Sequence, residues 1–163
     1  MADGFEEVEA LTPVDILRRA GANVTLVGVD NKEITGARGV RVVCDAVISD
    51  VCIQDCDMMV LPGGFPGFEN LAKSEKVMSA IDFMVNEGRF VTAICGAPAI
   101  VLGKNGYLKD KKAVCYPGME GDLNCKEVVT DNVCRDGNFI TSKVPQLLWN
   151  FLLRCARRFL EKK

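Results

Sequence analysis

Cys95 ends the run FVTAIC, where strand-like residues meet a thiol and then Gly96, Ala97 and Pro98. A strand that breaks sharply into a helix pushes its corner side chain out of the sheet. It also sets that side chain near the helix N-terminus. Gly96 and Ala97 leave room for such a turn, and Pro98 suits a first helical turn. This is the logic of a nucleophile elbow, without the GxSxG sequence. Backbone N–H groups and the helix dipole at the corner predict a thiol pKa below its ordinary value. The bland alternative is a buried, inert cysteine.

A thiol needs partners, and this chain contains no histidine. Acidic candidates come from Glu6, Glu7 and Glu9 in DGFEEVEA. Glu6 and Glu9 share a helical face, whereas Glu7 points elsewhere. Glu9 is the sharper candidate. An ionised carboxylate would oppose a neighbouring thiolate, but a protonated one would donate a hydrogen bond to it. The pair therefore works only if burial holds the proton on Glu9. The alternative is a solvated helix start, where acids are favoured in any case. Pro62–Gly64 (PGG) follows another apolar run. Glycines there let the backbone approach a ligand, and their N–H groups suit an oxyanion. PGGFPG lacks the GK[ST] ending of a phosphate loop, and an ordinary turn is its alternative.

The elements that hold these residues alternate between extended and helical patterns. Glu6–Ala20 predicts a helix, with a bend or late start at Pro13 and Gly21 beyond its end. Asn23–Val29 and Val40–Cys44 are β-rich. Met58–Leu61 is a short apolar run, as in a strand buried on both faces. Ser74–Glu87 is a helix capped by Ser74 and stopped at Gly88. Phe90–Ile94 is a second buried strand. Ala113–Cys115, Val133–Arg135 and Phe139–Thr141 are further strands, and Pro145–Glu161 is a last amphipathic helix. Its basic end, with Arg157, Arg158, Lys162 and Lys163, suits a helix C-terminus. The alternation predicts an α/β fold with a parallel sheet and ligands at the carboxyl ends of strands.

With 163 residues, 48% of them hydrophobic, the chain makes one domain over 1–163 with a core of its own. A net charge of −2 gives no basic field for nucleic acid. No apolar run approaches the ~20 residues that span a bilayer. MADGFEEVEA has no signal-peptide core, so the expected location is cytoplasmic. The eight cysteines are scattered among core-like residues and are expected to be reduced. Cys52 and Cys56 have CxxxC spacing but lack further ligands, so no metal site is expected.

ADGFEEVEA, VLPGGFPG and AICGAP, in that order, resemble the ThiJ/PfpI family, the DJ-one group of the class I glutamine amidotransferase-like superfamily. The likeness runs on through LTPVDILRRAG, CYPG and NFITS. It implies a flavodoxin-like α/β three-layer sandwich and a homodimer. It implies Cys95 as the nucleophile, Glu9 as its protonated partner, and Gly63 and Gly64, with Gly96, around the oxyanion. The implied activity is that of a glutathione-independent glyoxalase or deglycase, acting on a small 2-oxoaldehyde such as methylglyoxal or on glycated protein. No cofactor is implied.

Three departures stand out. Tyr116 in CYPG takes the place of a histidine found near the cysteine in many relatives, and a phenol is a poor base at neutral pH. That weakens a peptidase or amidase reading, keeps Tyr116 as a pocket residue, and leaves Glu9 to move protons. Val144 and Gln146 replace glycines of a turn, which strains Val144 if the turn needs a positive φ. Finally, relatives place an apolar strand just ahead of ADGFEE. Met1 lies two residues before Asp3, so that first strand is expected to be missing, at a cost in stability. A redox sensor built on Cys95 and a noncatalytic chaperone are the competing functions.

Overall fold

The computed structural model describes residues 1–143. The helix expected over 145–161 and the turn at Val144 and Gln146 lie outside the described residues. Glu6 caps the first helix, α1 (Glu7–Arg19), where its carboxylate accepts the Glu9 N–H at 2.7 Å. Acids in the first turn and Arg18 and Arg19 in the last complement the helix dipole. With that cap in place α1 begins at Glu7 and runs through Pro13, so it does not start late.

The first strands are short. β1 (Val27–Gly28) lies parallel to β4 (Ala46–Val47), and β2 (Glu33–Thr35) forms an antiparallel pair with β3 (Arg41–Val43). The main sheet uses β5 (Met58–Leu61) and β6 (Phe90–Ile94). Helices α2 (Gly67–Lys73) and α3 (Glu75–Asn86) lie between them in sequence. Ser74 caps α3, and Gly88, at φ 65°, follows it. A six-residue helix with π-type turns, Pro98–Gly103, comes after β6. A small parallel pair, β7 (Lys112–Ala113) and β8 (Glu127–Val128), precedes β9 (Val133–Asp136) and β10 (Phe139–Ser142). The four-stranded order is β5-β6-β10-β9, with β9 antiparallel and the others parallel.

Period-two alternation sends the two faces of this sheet to different helices. Val91 and Ala93 of β6 and Phe139 of β10 pack with Ile81 and Met84 of α3. Ile94 and Ile140 pack with Leu17 of α1. Helices thus cover both faces, as a parallel sheet requires. Among the described residues, no helix is long and apolar enough to cross a membrane. Cys44, Cys115 and Cys134 are buried free thiols within the packed interior.

Two strand expectations are corrected. Only Val27–Gly28 of the run 23–29 is paired as a strand, because Asn23–Thr25 have no ladder partner. Met58, Met59 and Val60 are half-buried, not buried on both faces. The reason is positional: among the described residues β5 pairs with β6 on one side and forms the edge of its sheet. The parallel strands therefore fall into two pieces, β1-β4 and the four-stranded sheet. Met1 supplies one more rung. Its amine donates to the Val27 carbonyl at 2.5 Å, and the Val29 N–H donates to the Met1 carbonyl at 2.9 Å. This two-way pairing across Gly28 is the pattern of a parallel ladder. Burial pulls the Met1 amine down to about 6.

Candidate active site

β6 delivers Cys95 to the carboxyl end of the sheet, beside the end of β10. The Cys95 N–H donates to the Ser142 carbonyl at 2.9 Å, and its own carbonyl accepts the Tyr116 N–H at 2.7 Å. Between these two bonds the backbone turns with φ 62°, a left-handed conformation that non-glycine residues adopt at a cost. The corner is thus the sharp elbow that the sequence predicts. Ser142 is a contributor that local sequence does not reveal, because its role depends on β10 lying beside β6.

α1 brings Glu9 to the same place. Its side chain is 1% exposed, and Oε2 accepts the Gly63 N–H at 2.8 Å. Gly63 is wedged between Glu9 and Cys95. A Cβ there would overlap Glu9 Oε2 and lie 2.6 Å from Cys95 Cβ. Gly64, at φ 96°, packs against the backbone of Gly4–Glu6, where any side chain would collide. The structure therefore brings together Cys95, Glu9, Gly63, Gly64 and Gly96, with Tyr116 alongside. Glu7, predicted to point elsewhere, does so: Oε1 accepts the Arg38 N–H at 2.7 Å.

The electrostatics fit one half of the expectation. Burial, the larger effect, holds the Glu9 carboxyl up to about 7 against the Gly63 hydrogen bond. Its proton thus stays into the neutral range. The Cys95 thiol, however, is pushed up to about 12, first by burial and then by the Glu9 charge. The N–H groups of Gly96 and Gly64 pull the other way and do not prevail. The predicted lowering is corrected: the helix after the elbow begins at Pro98 and is short, so its dipole is weak against desolvation. A second correction concerns Gly63. Its N–H is given to Glu9, so it orients the carboxyl and leaves Gly64 and Gly96 as the amides directed at the sulfur.

Apolar groups complete the surroundings. A Cβ on Gly96 would lie 2.8 Å from the Phe68 ring and 3.2 Å from Met119 Sδ. Neither residue carries a local sequence signal for this role, since α2 and the segment after Tyr116 reach the site only through tertiary packing. A surface depression along Leu11, Asp15 and Arg19 of α1 includes neither Cys95 nor Glu9. Among the described residues, no group of three or more His, Cys, Asp or Glu is placed to hold a metal.

The model of the DJ-1/PfpI family matches residues 1–158. The chain belongs to the DJ-1/PfpI family. A family relative, DJ-1 homolog B of Arabidopsis thaliana, is 36% identical over 160 residues. That match covers 98% of this chain but 36% of the plant protein, so the chain spans little more than a third of its length. A deglycase of Pyrococcus horikoshii is 33% identical over 153 residues, covering 93% of this chain and 91% of the relative. The crystal structure of a cysteine-to-alanine mutant of a DJ-1 superfamily protein from Salmonella typhimurium matches with a TM-score of 0.92 at 31% identity. It covers 98% of this chain and 87% of that one. The family fold, a flavodoxin-like α/β sandwich with a mostly parallel sheet, is the fold of this chain.

Proposed function

We propose that this protein is a cysteine-dependent glyoxalase or deglycase acting on methylglyoxal or on its adducts with protein side chains. The carrying observation is the buried Glu9 carboxyl, held by Gly63 against Cys95, with a pKa of about 7. A group that titrates near the working pH both accepts and returns protons efficiently. The similarity to a named deglycase supports the same reading.

The neutral Cys95 thiol adds across the aldehyde carbonyl. The S–C bond forms, the carbonyl electron pair moves to oxygen, and the thiol proton passes through Glu9 to that oxygen. Glu9 then removes the proton on the hemithioacetal carbon and delivers one to the adjacent carbon. The electrons rearrange through an enediol to a thioester. Water cleaves the thioester, releasing lactate and restoring the thiol. The Gly64 and Gly96 N–H groups, aimed at the sulfur, are the proposed donors to the oxyanion that develops one carbon away from it. On a methylglyoxal adduct of a lysine, arginine or cysteine side chain, the Cys95 thiol forms the S–C bond as the bond from that carbon to the side-chain nitrogen or sulfur breaks. The thiol proton passes through Glu9 to the leaving atom, and the resulting hemithioacetal follows the same course, which is deglycation. No cofactor enters, and the reading includes a cytoplasmic homodimer, checked by light scattering.

Lactate formation from methylglyoxal by wild type and Cys95→Ser, both shown folded by circular dichroism, tests this function. Cys95→Ser is expected to lose at least about 100-fold in kcat/KM, because a serine hydroxyl beside a carboxyl of pKa about 7 is a far weaker nucleophile. A folded wild type that makes no lactate overturns the assignment.

A redox sensor is the second reading, favoured by the two N–H groups at the sulfur, which would hold a sulfinate. The raised thiol counts against it, since the thiolate is the species that oxidises. Peroxide modification confined to Cys95 in a protein without turnover would favour the sensor.

A further inference from the structure

Six large apolar side chains among the described residues are exposed: Val8, Val40, Val43, Phe65, Tyr116 and Val128. The two aromatic ones both belong to the cysteine corner. Phe65, 66% exposed, directly follows Gly64, whose N–H is aimed at the Cys95 sulfur. Its ring centroid stands 6.0 Å from that of Phe68, tilted by 58°. Phe68 in turn packs on Gly96, with Met119 beside it. Tyr116, 48% exposed, is fixed to the Cys95 carbonyl through its own N–H. Phe68 and Met119 thus border Gly96, the residue after the cysteine, and two solvent-exposed rings belong to residues whose backbone flanks the same corner. The other described aromatic side chains are buried or partly buried, including Phe5, Phe139, Phe83 and Tyr107.

A ring left in water is stabilised when a second flat apolar surface covers it, and aromatic pairs gain beyond their buried area. A methyl group offers almost no such surface. We propose that Phe65 and Tyr116 select 2-oxoaldehydes carrying a flat aromatic substituent over methylglyoxal. This selection rests on the glyoxalase reading, and its chemistry is the same thiol addition, with the S–C bond formed and the proton passed to the carbonyl oxygen. The substituent lies against the two rings while the aldehyde carbon meets the sulfur.

Phenylglyoxal and methylglyoxal are the probes, and two readouts separate this inference from the reading beneath it. The first is kcat/KM for each aldehyde in wild type, Phe65→Ala, Phe65→Leu and Tyr116→Ala, all checked for folding by circular dichroism. The second is protection of Cys95 from iodoacetamide by each aldehyde in brief exposures, which needs no turnover. Wild type is expected to favour phenylglyoxal by about tenfold or more, the scale of discrimination an apolar pocket achieves. That ratio is expected to fall several-fold in both alanine variants and in Phe65→Leu, which keeps apolar bulk but loses the flat face. A wild-type ratio near one, or a ratio indifferent to all three substitutions, overturns the proposal. If neither aldehyde turns over, the glyoxalase reading fails and protection decides. Protection at lower phenylglyoxal than methylglyoxal concentration, lost in the alanine variants, supports aromatic recognition at the site; equal protection overturns it.

Discussion

Glu9→Gln is expected to make the protein more stable above pH 7 while removing its activity. The wild-type carboxyl has a pKa of about 7 in the fold, against 4.5 for an unperturbed glutamate. Between those values the folded protein binds more protons at this site than the unfolded chain does. Stability therefore falls as pH rises from about 4.5 to about 7, and the full loss is present above that window. The size of the shift, on a side chain 1% exposed, corresponds to about 3 kcal/mol. Glutamine has the shape of the protonated acid, keeps an oxygen for the Gly63 N–H, and does not ionise. The variant should match wild type near pH 4.5 and exceed it by about 3 kcal/mol at pH 8 in denaturant unfolding.

Under the proposed glyoxalase function, turnover should move the opposite way, falling by about 10²–10⁴-fold with the loss of the proposed proton carrier. The thiol gives a third, independent readout. The Glu9 charge is one of the causes that push Cys95 up. Removing that charge lowers the thiol pKa, so iodoacetamide should alkylate Cys95 faster at pH 8 in the variant than in wild type. A wild-type stability that is flat between pH 4.5 and 7, or a variant less stable at pH 8, would show that Glu9 is not held protonated by the fold.

The elbow was legible because its causes are local. A buried strand, two small residues and a proline are contiguous, and the positive φ of Cys95 sits where they meet. Glu9 was legible as a helix position, since its spacing from Glu6 fixes which face it shares. What escaped depends on groups brought in from elsewhere. The direction of the Cys95 shift follows from burial and then from the Glu9 charge, neither of them visible from AICGAP. Met58–Val60 carry the composition of a strand covered on both faces, yet their burial depends on a neighbour beyond β5. Gly63 and Gly64 look alike in PGGFPG, but one N–H is turned to the carboxylate and the other to the sulfur. Adjacent peptide groups point to different sides of the chain, and sequence alone does not say which side holds which partner.

Gly63→Ala isolates that wedge. The backbone of Gly63 is not left-handed, so alanine brings no conformational penalty there, only volume. Its Cβ would overlap Glu9 Oε2, lie 2.6 Å from Cys95 Cβ and 3.1 Å from the Ile94 carbonyl. β6 is paired with β5 as far as Ala93 and with β10 as far as Ile94, and the Cys95 N–H is tied to the Ser142 carbonyl, so the buried Glu9 side chain must yield. The expected cost is about 1–3 kcal/mol of stability, as for overpacking a filled interior. Displacing the carboxyl by an ångström from its working position is expected to cost about 100-fold in kcat/KM. Gly121→Ala is the control: a Cβ there meets nothing within 4 Å, and its stability should stay within about 0.5 kcal/mol of wild type. Adding Glu9→Asp to Gly63→Ala shortens the side chain that blocks the methyl group. The double variant should regain stability relative to Gly63→Ala without regaining activity, a coupling that a double-mutant cycle measures directly. Additive stability losses, or a Gly63→Ala protein with wild-type turnover, would mean that the contact between Gly63 and Glu9 does not set the geometry of the pair.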